Sequence, residues 1–251
     1  MRPAAFLVLW ARRLWSCFYD GVLPIEQSSF ETRLAAVEDR IRNALVRCGR
    51  KRSEITLVAV SKKFSAESIR EAYRAGLRDF GENYVQEFAD KRPLLQDLPD
   101  ARFHLIGHLQ SNKSRLACDL FQVIQTADSP KLLRRLDSSA GEKQIRLDVM
   151  LEIKLGNEDS KSGADPKEIP QLLEEANKCP HLNLLGLMTI PPWSEDPEAS
   201  RPYFQQLRQL ARQHHLANLS MGMSADFEVA IEEGSTMIRI GTALFGRRPK
   251  P

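Results

Sequence analysis

The sequence predicts a single (β/α)8 TIM barrel over residues 28–251. Short apolar stretches rich in β-branched residues recur along the chain, each followed by a segment of helical periodicity. Strict alternation of strand and helix implies a parallel sheet joined by right-handed crossovers. Eight such units fit in roughly 200 residues, near the small end of the range for a closed barrel. A doubly wound open sheet is the alternative, and the count favours the barrel. No shift in composition and no long linker marks a second domain.

An extra helix comes first. Ser28-Ser-Phe-Glu31 reads as a capping box, Phe30, Leu34, Val37, Ile41 and Leu45 recur at helical spacing, and Gly49 supplies the stop. Leu57-Val-Ala-Val-Ser-Lys62 is the first strand. Ser65 opens a helix with Ile69, Ala72 and Tyr73 on one face, closed by Gly76. Leu77 to Phe80 is a short strand, with Gly81-Glu82-Asn83 leading into a helix through Tyr84 and Phe88. Phe103 to Ile106 is the third strand, and Gly107 to Lys113 leads into the next helix. Phe121 to Ile124 is the fourth strand, and Asp128-Ser129-Pro130 starts a helix with proline in its first turn.

Arg146 to Ile153 is a longer strand, followed by a polar loop from Gly156 to Gly163. Asp165-Pro-Lys-Glu168 caps a helix whose face is Ile169, Leu172, Leu173 and Ala176. Leu182 to Met188 is a strand, and Pro191-Pro192 opens a long loop. Phe204, Leu207 and Leu210 mark a helix beginning near Ser200. A short strand from Leu219 to Met221, a helix from Ser224 to Glu233 and a strand from Met237 to Ile240 complete the pattern.

Composition narrows the function classes. The chain is 42% hydrophobic and 27% charged, ordinary for a globular protein. A net charge of +3, without a basic run interleaved with aromatics, gives no reason to expect a nucleic-acid partner. Cys17, Cys48, Cys118 and Cys179 are scattered and form no C-x-x-C pair, which argues against a metal site or disulfide framework and fits a reducing cytoplasm. Residues 1–27 hold two apolar runs split by Arg12 and Arg13, too short to span a bilayer and lacking a secretory cleavage site. This N-terminal extension is expected to be disordered or not part of the native protein, and no membrane association is expected.

The ends of the strands carry the chemistry, because barrels of this kind build their sites at the carboxyl-terminal rim. Those ends supply Lys62, Glu82, Asn83, Gly107, His108, Thr126, Asp128, Asn157, Lys161, Thr189, Gly222, Ser224, Arg239, Gly241 and Thr242. Lys62 taken alone is simply where a strand meets water. At the mouth of an apolar strand, however, desolvation favours the neutral amine that attacks carbonyls. Ser220-Met-Gly-Met-Ser224 and Arg239-Ile-Gly-Thr242 follow the seventh and eighth strands, where such barrels often hold a phosphate on free backbone amides. The simpler account makes Ser224 an N-cap and Gly241 a turn. An amine and a phosphate cup on one rim suit a phosphorylated aldehyde or ketone held as a Schiff base. That describes either a sugar-phosphate aldolase or a protein of pyridoxal phosphate. Arg239 favours the latter, as the partner of a pyridine nitrogen that it would keep unprotonated.

At these residues the sequence resembles the pyridoxal phosphate homeostasis proteins, the YggS or PROSC family. The matching stretches are Leu57–Lys62, Phe80-Gly-Glu-Asn-Tyr-Val-Gln-Glu87, His104–Lys113, Asp159–Gly163, Gly186–Thr189, Leu219–Asp226 and Gly234–Gly246. They fall in order between about Phe30 and Arg247. The resemblance implies the alanine racemase N-terminal barrel, pyridoxal phosphate fold type III. It implies that Lys62 carries pyridoxal 5'-phosphate, that Ser224, Gly241 and Thr242 hold its phosphate, that Arg239 faces the pyridine nitrogen and that Asn83 lies near the cofactor. One departure stands out. The family commonly has threonine after the lysine and proline two residues further on, whereas Lys63, Phe64 and Ser65 follow here. Strand alternation would turn Lys63 away from the face of Lys62.

Racemases on this barrel need two bases, the second a tyrosine from an additional domain that a chain ending at Pro251 is not expected to have. Loss of one base costs ~10²–10⁴-fold. The expected role is therefore a monomeric, cytoplasmic pyridoxal phosphate carrier in vitamin B6 and amino-acid homeostasis, without efficient turnover. Pyridoxal phosphate-dependent apoenzymes are its expected recipients. A low-activity amino-acid racemase is the alternative. Lys161, in the polar loop on the same rim, is a further candidate to receive the aldehyde from Lys62 during loading or release; a solvated loop lysine is the simpler account.

Overall fold

The computed structural model describes residues 28–156 and 162–247. The extension 1–27 and the loop positions Asn157 and Lys161 lie outside the described residues. Strands β1 (Thr56–Val60), β2 (Asp79–Glu82), β3 (Arg102–Leu105), β4 (Val123–Ala127), β5 (Leu147–Glu152), β6 (Leu182–Met188), β7 (Asn218–Met223) and β8 (Met237–Ile240) form a closed barrel in sequence order. Every pairing is parallel, and β8 returns to β1 with Val58 opposite Arg239 and Ala59 opposite Ile240.

Nine helices accompany the strands among the described residues: α1 (Phe30–Cys48), α2 (Ala66–Arg74), α3 (Val85–Lys91), α4 (Ser114–Leu120), α5 (Pro130–Glu142), α6 (Ile169–Asn177), α7 (Arg201–Gln213), α8 (Phe227–Glu232) and α9 (Thr242–Phe245). Their ends follow local chemistry. Ser29, not Ser28, caps α1 by accepting the Thr32 N–H, so the cap lies one residue later than the sequence predicts. Gly49 closes α1 in the left-handed region at φ 67°. Ser129 caps α5 with Pro130 at its first position, as the sequence predicts.

The apolar residues divide between two layers. Most face outward from the strands into the helices, among them Leu57, Ala59, Phe80, Phe103 and Leu151. Phe103 stacks with Phe80 at 5.7 Å and meets Phe88 at 4.6 Å, and Phe88 meets Phe121 at 4.9 Å, locking α3 and α4 to β2 and β3. The inner apolar cluster is small: Val58, Met150, Met188 and Met237, with Leu185 and Ile190 against it. Much of the remaining interior is polar, with His104, Gln125, Ser220 and Arg239 all buried.

That polar interior explains where expected boundaries move. β4 runs to Ala127 through the buried Gln125 and Thr126, whereas Phe121 terminates α4 and packs on Phe88. β2 continues through Gly81 and Glu82. Helix α8 begins at Phe227 and not Ser224, with Asp226 as its cap residue. Helix α1 lies across α8 and α9. Its Phe30 meets Phe245 at 5.4 Å, and Phe245 meets Phe64 at 5.1 Å, so the extra helix braces the segment just after Lys62.

Candidate functional site

β1 ends at Val60, so Lys62 occupies the turn after the strand rather than the strand itself. The turn closes with the Phe64 N–H donating to the Ser61 carbonyl at 3.0 Å. Lys62 is half-buried and Lys63 exposed. Strand alternation is not the reason, since Lys63 has left the strand and sits at φ 65°.

A charged cluster from β2 and α3 holds this turn on both sides of Lys62. The Ser61 N–H donates to the Gly81 carbonyl at 2.9 Å, and Ser61 Oγ donates to Glu82 Oε1 at 2.8 Å. Lys91 Nζ donates to the Ser61 carbonyl at 3.2 Å and to Glu82 Oε1 at 3.0 Å. The Lys63 N–H donates to Glu87 Oε1 at 2.6 Å, and Glu87 pairs with Lys91 at 2.7 Å. Burial pushes the Glu82 carboxyl above its ordinary range, while Lys91 and the Ser61 hydroxyl pull it back. Glu87 and Lys91 escape a reading of strand ends because they lie on α3. Their i,i+4 spacing was the one available signal.

Arg239 points into the barrel from β8 and is 3% exposed. Its Nη1 donates to Ser220 Oγ at 2.6 Å and its Nη2 to the Thr189 carbonyl at 2.9 Å. Among the described residues it forms no ion pair with a carboxylate. Burial pushes the guanidinium down to about 10, against the pull of Asp226 and Glu152, so it stays protonated at neutral pH. With five N–H donors, Arg239 keeps capacity for a further acceptor.

Glu152, at the end of β5, was not singled out from the sequence. It is 5% exposed, and its Oε2 is buried without a hydrogen-bond partner. Burial pushes its carboxyl up to about 7, the nearby Asp128 raises it further and Arg239 opposes both. Glu152 lines a cavity of about 220 Å³ with Asn83, Gly107, His108, Lys154 and Ile190. Gly107 is required there, because a Cβ would lie 2.3 Å from the Asn83 carbonyl oxygen. Of the residues expected from the resemblance, Asn83 alone lines this cavity.

The two glycine-bearing loops converge. The Ala243 N–H faces Ser224 Oγ at 3.4 Å, tying the loop after β7 to the start of α9. Gly222, at φ 94° near the end of β7, lets the strand end lie close against α8, where a Cβ would meet that of Ala230 at 2.5 Å. The Gly241 backbone packs on Val60, 3.5 Å from a built Cβ to Val60 Cβ and to its carbonyl oxygen. Ser224 is half-buried and Thr242 exposed. Gly241 therefore abuts the end of β1, two residues before Lys62, with Ser224 next in line. Asn83 follows β2 directly, its backbone against Gly107.

The geometry defines a parallel barrel whose first strand, just before Lys62, packs against the loop after β8, with a buried guanidinium on β8, the class represented by the alanine racemase N-terminal domain. The profile of that domain family, "Alanine racemase, N-terminal domain", matches residues 33–249. The barrel superposes on alanine racemase of Clostridium difficile with a TM-score of 0.68 at 14% identity, covering 87% of this chain and 58% of that one, a likeness of fold alone. Nearer relatives are more informative. A pyridoxal phosphate homeostasis protein of Aquifex aeolicus is 44% identical over 222 residues, covering 86% of this chain and 97% of its own. Its Escherichia coli counterpart is 44% identical over 225 residues, covering 86% and 95%. The structure of PipY of Synechococcus elongatus with pyridoxal phosphate bound is 39% identical, with a TM-score of 0.77 over 87% of this chain and all of that one. The chain belongs to the pyridoxal phosphate homeostasis protein family.

Proposed function

We propose that this protein holds pyridoxal 5'-phosphate reversibly on Lys62 and serves intracellular cofactor homeostasis, without efficient turnover of amino acids. The observation that carries the reading is the convergence on one rim of the Lys62 turn, the Ser224 and Gly241–Ala243 backbone, and a buried Arg239 with no carboxylate partner among the described residues. A site that already neutralised Arg239 would have little use for an acceptor there. This one leaves donors unspent, which fits a ring nitrogen carrying a lone pair.

Pyridoxal phosphate supplies an aldehyde that condenses reversibly with a primary amine and a ring that withdraws electrons from the attached carbon. The chain's own residues do the rest. Lys62 presents the amine from a turn clamped by Ser61 and Lys63. Ser224, Gly241 and Thr242 would hold the phosphate through a hydroxyl and backbone amides, with Asn83 near the ring. Arg239 would donate to the ring nitrogen and, as a cation, keep a proton off it, so that the ring would be a weak electron sink. That electrostatic choice suits a carrier.

No helix among the described residues is long and apolar enough to cross a membrane. The proposal places the protein in the cytoplasm, as a monomer that delivers cofactor to pyridoxal phosphate-dependent apoenzymes. The purified protein should take up pyridoxal phosphate with a visible absorption band, and Lys62→Ala should lose it. A band retained in Lys62→Ala overturns the assignment of the amine. Conversion of L- to D-alanine or serine at ~1–10³ s⁻¹, the ordinary enzymatic range, would sink the carrier reading.

A further inference from the structure

A continuous hydrogen-bonded chain crosses the barrel interior, from the rim to the opposite end. Arg239 Nη1 donates to Ser220 Oγ at 2.6 Å, and Ser220 Oγ donates to Gln125 Oε1 at 2.6 Å. Gln125 Nε2 lies 2.9 Å from His104 Nδ1, and His104 Nε2 lies 2.8 Å from Asp79 Oδ1. Ser220, Gln125 and His104 are fully buried, and Arg239 nearly so. Asp79 is the first residue of β2, at the amino-terminal end of the barrel, with its side chain 21% exposed. None of these contacts lies on the outer layer that holds the helices to the sheet.

The chain has one direction. A guanidinium can only donate, and an ionised carboxylate can only accept. Between those ends, each member must accept on the Arg239 side and donate on the Asp79 side. Ser220 does so with its hydroxyl, and Gln125 with its carbonyl oxygen and its amide N–H. His104 must then carry its proton on Nε2 and leave Nδ1 bare. An Nδ1–H tautomer would set two donors against each other at Gln125 and leave Asp79 without one. The charged groups facing His104 are Asp79, Arg102 and Asp148; burial, with Arg102, pushes the ring below its ordinary range against the pull of Asp79 and Asp148. Arg102 and Asp148 pair with each other at 2.7 Å, and Asn183 closes the far side of Asp148 at 2.7 Å.

We propose that Ser220, Gln125, His104 and Asp79 are positioning residues for Arg239. The one-way chain fixes the guanidinium's orientation, and the charge of Asp79 at the other end of the barrel contributes to how firmly the cofactor is held. This inference rests on the reading that Arg239 faces the ring of pyridoxal phosphate. A buried cation with no adjacent carboxylate gains from aligned dipoles that end on an anion. The same alignment removes the freedom Arg239 would have with Thr189 as its sole anchor.

The test has two arms. In ¹⁵N NMR of histidine-labelled wild-type protein without cofactor, His104 should show a protonated Nε2 and a bare Nδ1 throughout pH 6 to 8. An Nδ1–H tautomer, or an imidazolium forming near the ordinary histidine pKa, would overturn the chain. This arm needs no variant, so misfolding cannot obscure it. In the second arm, wild type, Gln125→Leu and Asp79→Asn are titrated with pyridoxal phosphate and followed by the visible band. Gln125→Leu cuts the chain and should weaken binding roughly 10-fold, the scale of one hydrogen bond, with a displaced band maximum. Asp79→Asn keeps an acceptor for His104 and removes the charge, so it should weaken binding less and in the same direction. Unchanged affinity and band position in both would overturn the positioning role. A wild type that shows no band at all would instead overturn the proposed function, leaving the NMR arm to decide the chain.

Discussion

Two groups of charged side chains near this barrel mouth are built on opposite rules. Beside β1 and β2, Lys91 pairs with both Glu82 and Glu87, and the two carboxylates accept further hydrogen bonds from the Ser61 hydroxyl and the Lys63 N–H. Between β5 and β8, Arg239 has only neutral partners, and Glu152 keeps a buried oxygen with none. The first cluster is complete and can only hold its turn in place. The second carries uncompensated electrostatic potential, which a ligand can complete. The proposed reversible holding of a cofactor calls for each kind: a rigid mount for the Lys62 turn and an unsaturated wall in the same barrel.

The largest effect that could break this contrast is on the mount. Lys91→Met strands Glu82 at zero exposure beside the Lys62 turn. Losing one partner of a buried pair costs ~3–5 kcal/mol. Urea unfolding of the cofactor-free protein should show a loss of that order. Adding Glu82→Gln should recover part of it, because the amide oxygen can still accept the Ser61 hydroxyl. Arg239→Leu, measured in the same way, should cost less, under about 2 kcal/mol, since it strands no carboxylate. Equal losses for Lys91→Met and Arg239→Leu would erase the distinction between the two clusters.

The next effect depends on pH. Burial pushes the Glu152 carboxyl of the folded chain up to about 7, against 4.5 for a glutamate free in water. Between those values the folded chain keeps a proton that the unfolded chain releases, so this carboxyl's contribution to stability falls as pH rises through the window. Glu152→Gln should match wild type below about pH 5 and exceed it above pH 7 by roughly 2–4 kcal/mol. Thermal or urea unfolding across that range, without cofactor, reads the difference directly. A constant difference between the two proteins at all pH values would mean that Glu152 does not titrate there.

The outer layer of the fold was legible because its chemistry is apolar and periodic. The limits of β6 and β8 match their expected ranges, and the buried face of α1 includes Phe30, Val37, Ile41 and Leu45. The inner layer was not, since its residues are polar and break the apolar runs from which strands are read. Gln125 and Thr126 looked like the end of β4 but lie within it, and Glu82 looked like a loop residue but ends β2. Strand order alone put Lys62, Arg239 and the loops after β7 and β8 at one end of the barrel, and their roles toward a cofactor belong to the proposal. Lys91 and Glu87 depended on the packing of α3 under the β1 turn, and Glu152 on the absence of a partner. Neither is a property of local sequence.

The smallest effect addresses the second lysine. Lys63 adopts φ 65°, a conformation that costs a residue with a Cβ roughly 1–2 kcal/mol and costs glycine almost nothing. Glycine in turn loses more freedom on folding, by roughly 0.5–1 kcal/mol. The two nearly cancel, so Lys63→Gly should change stability by less than about 1 kcal/mol, in the stabilising direction. The Lys63 N–H bond to Glu87 belongs to the backbone and survives the substitution. If the clamp serves Lys62, the visible band of the variant should match that of wild type in position and intensity. Borohydride reduction followed by peptide mapping should place the label on Lys62 in both proteins. Label on Lys63 in the wild type would show that the turn presents either amine, and the mount would then be far less selective than its hydrogen bonds imply.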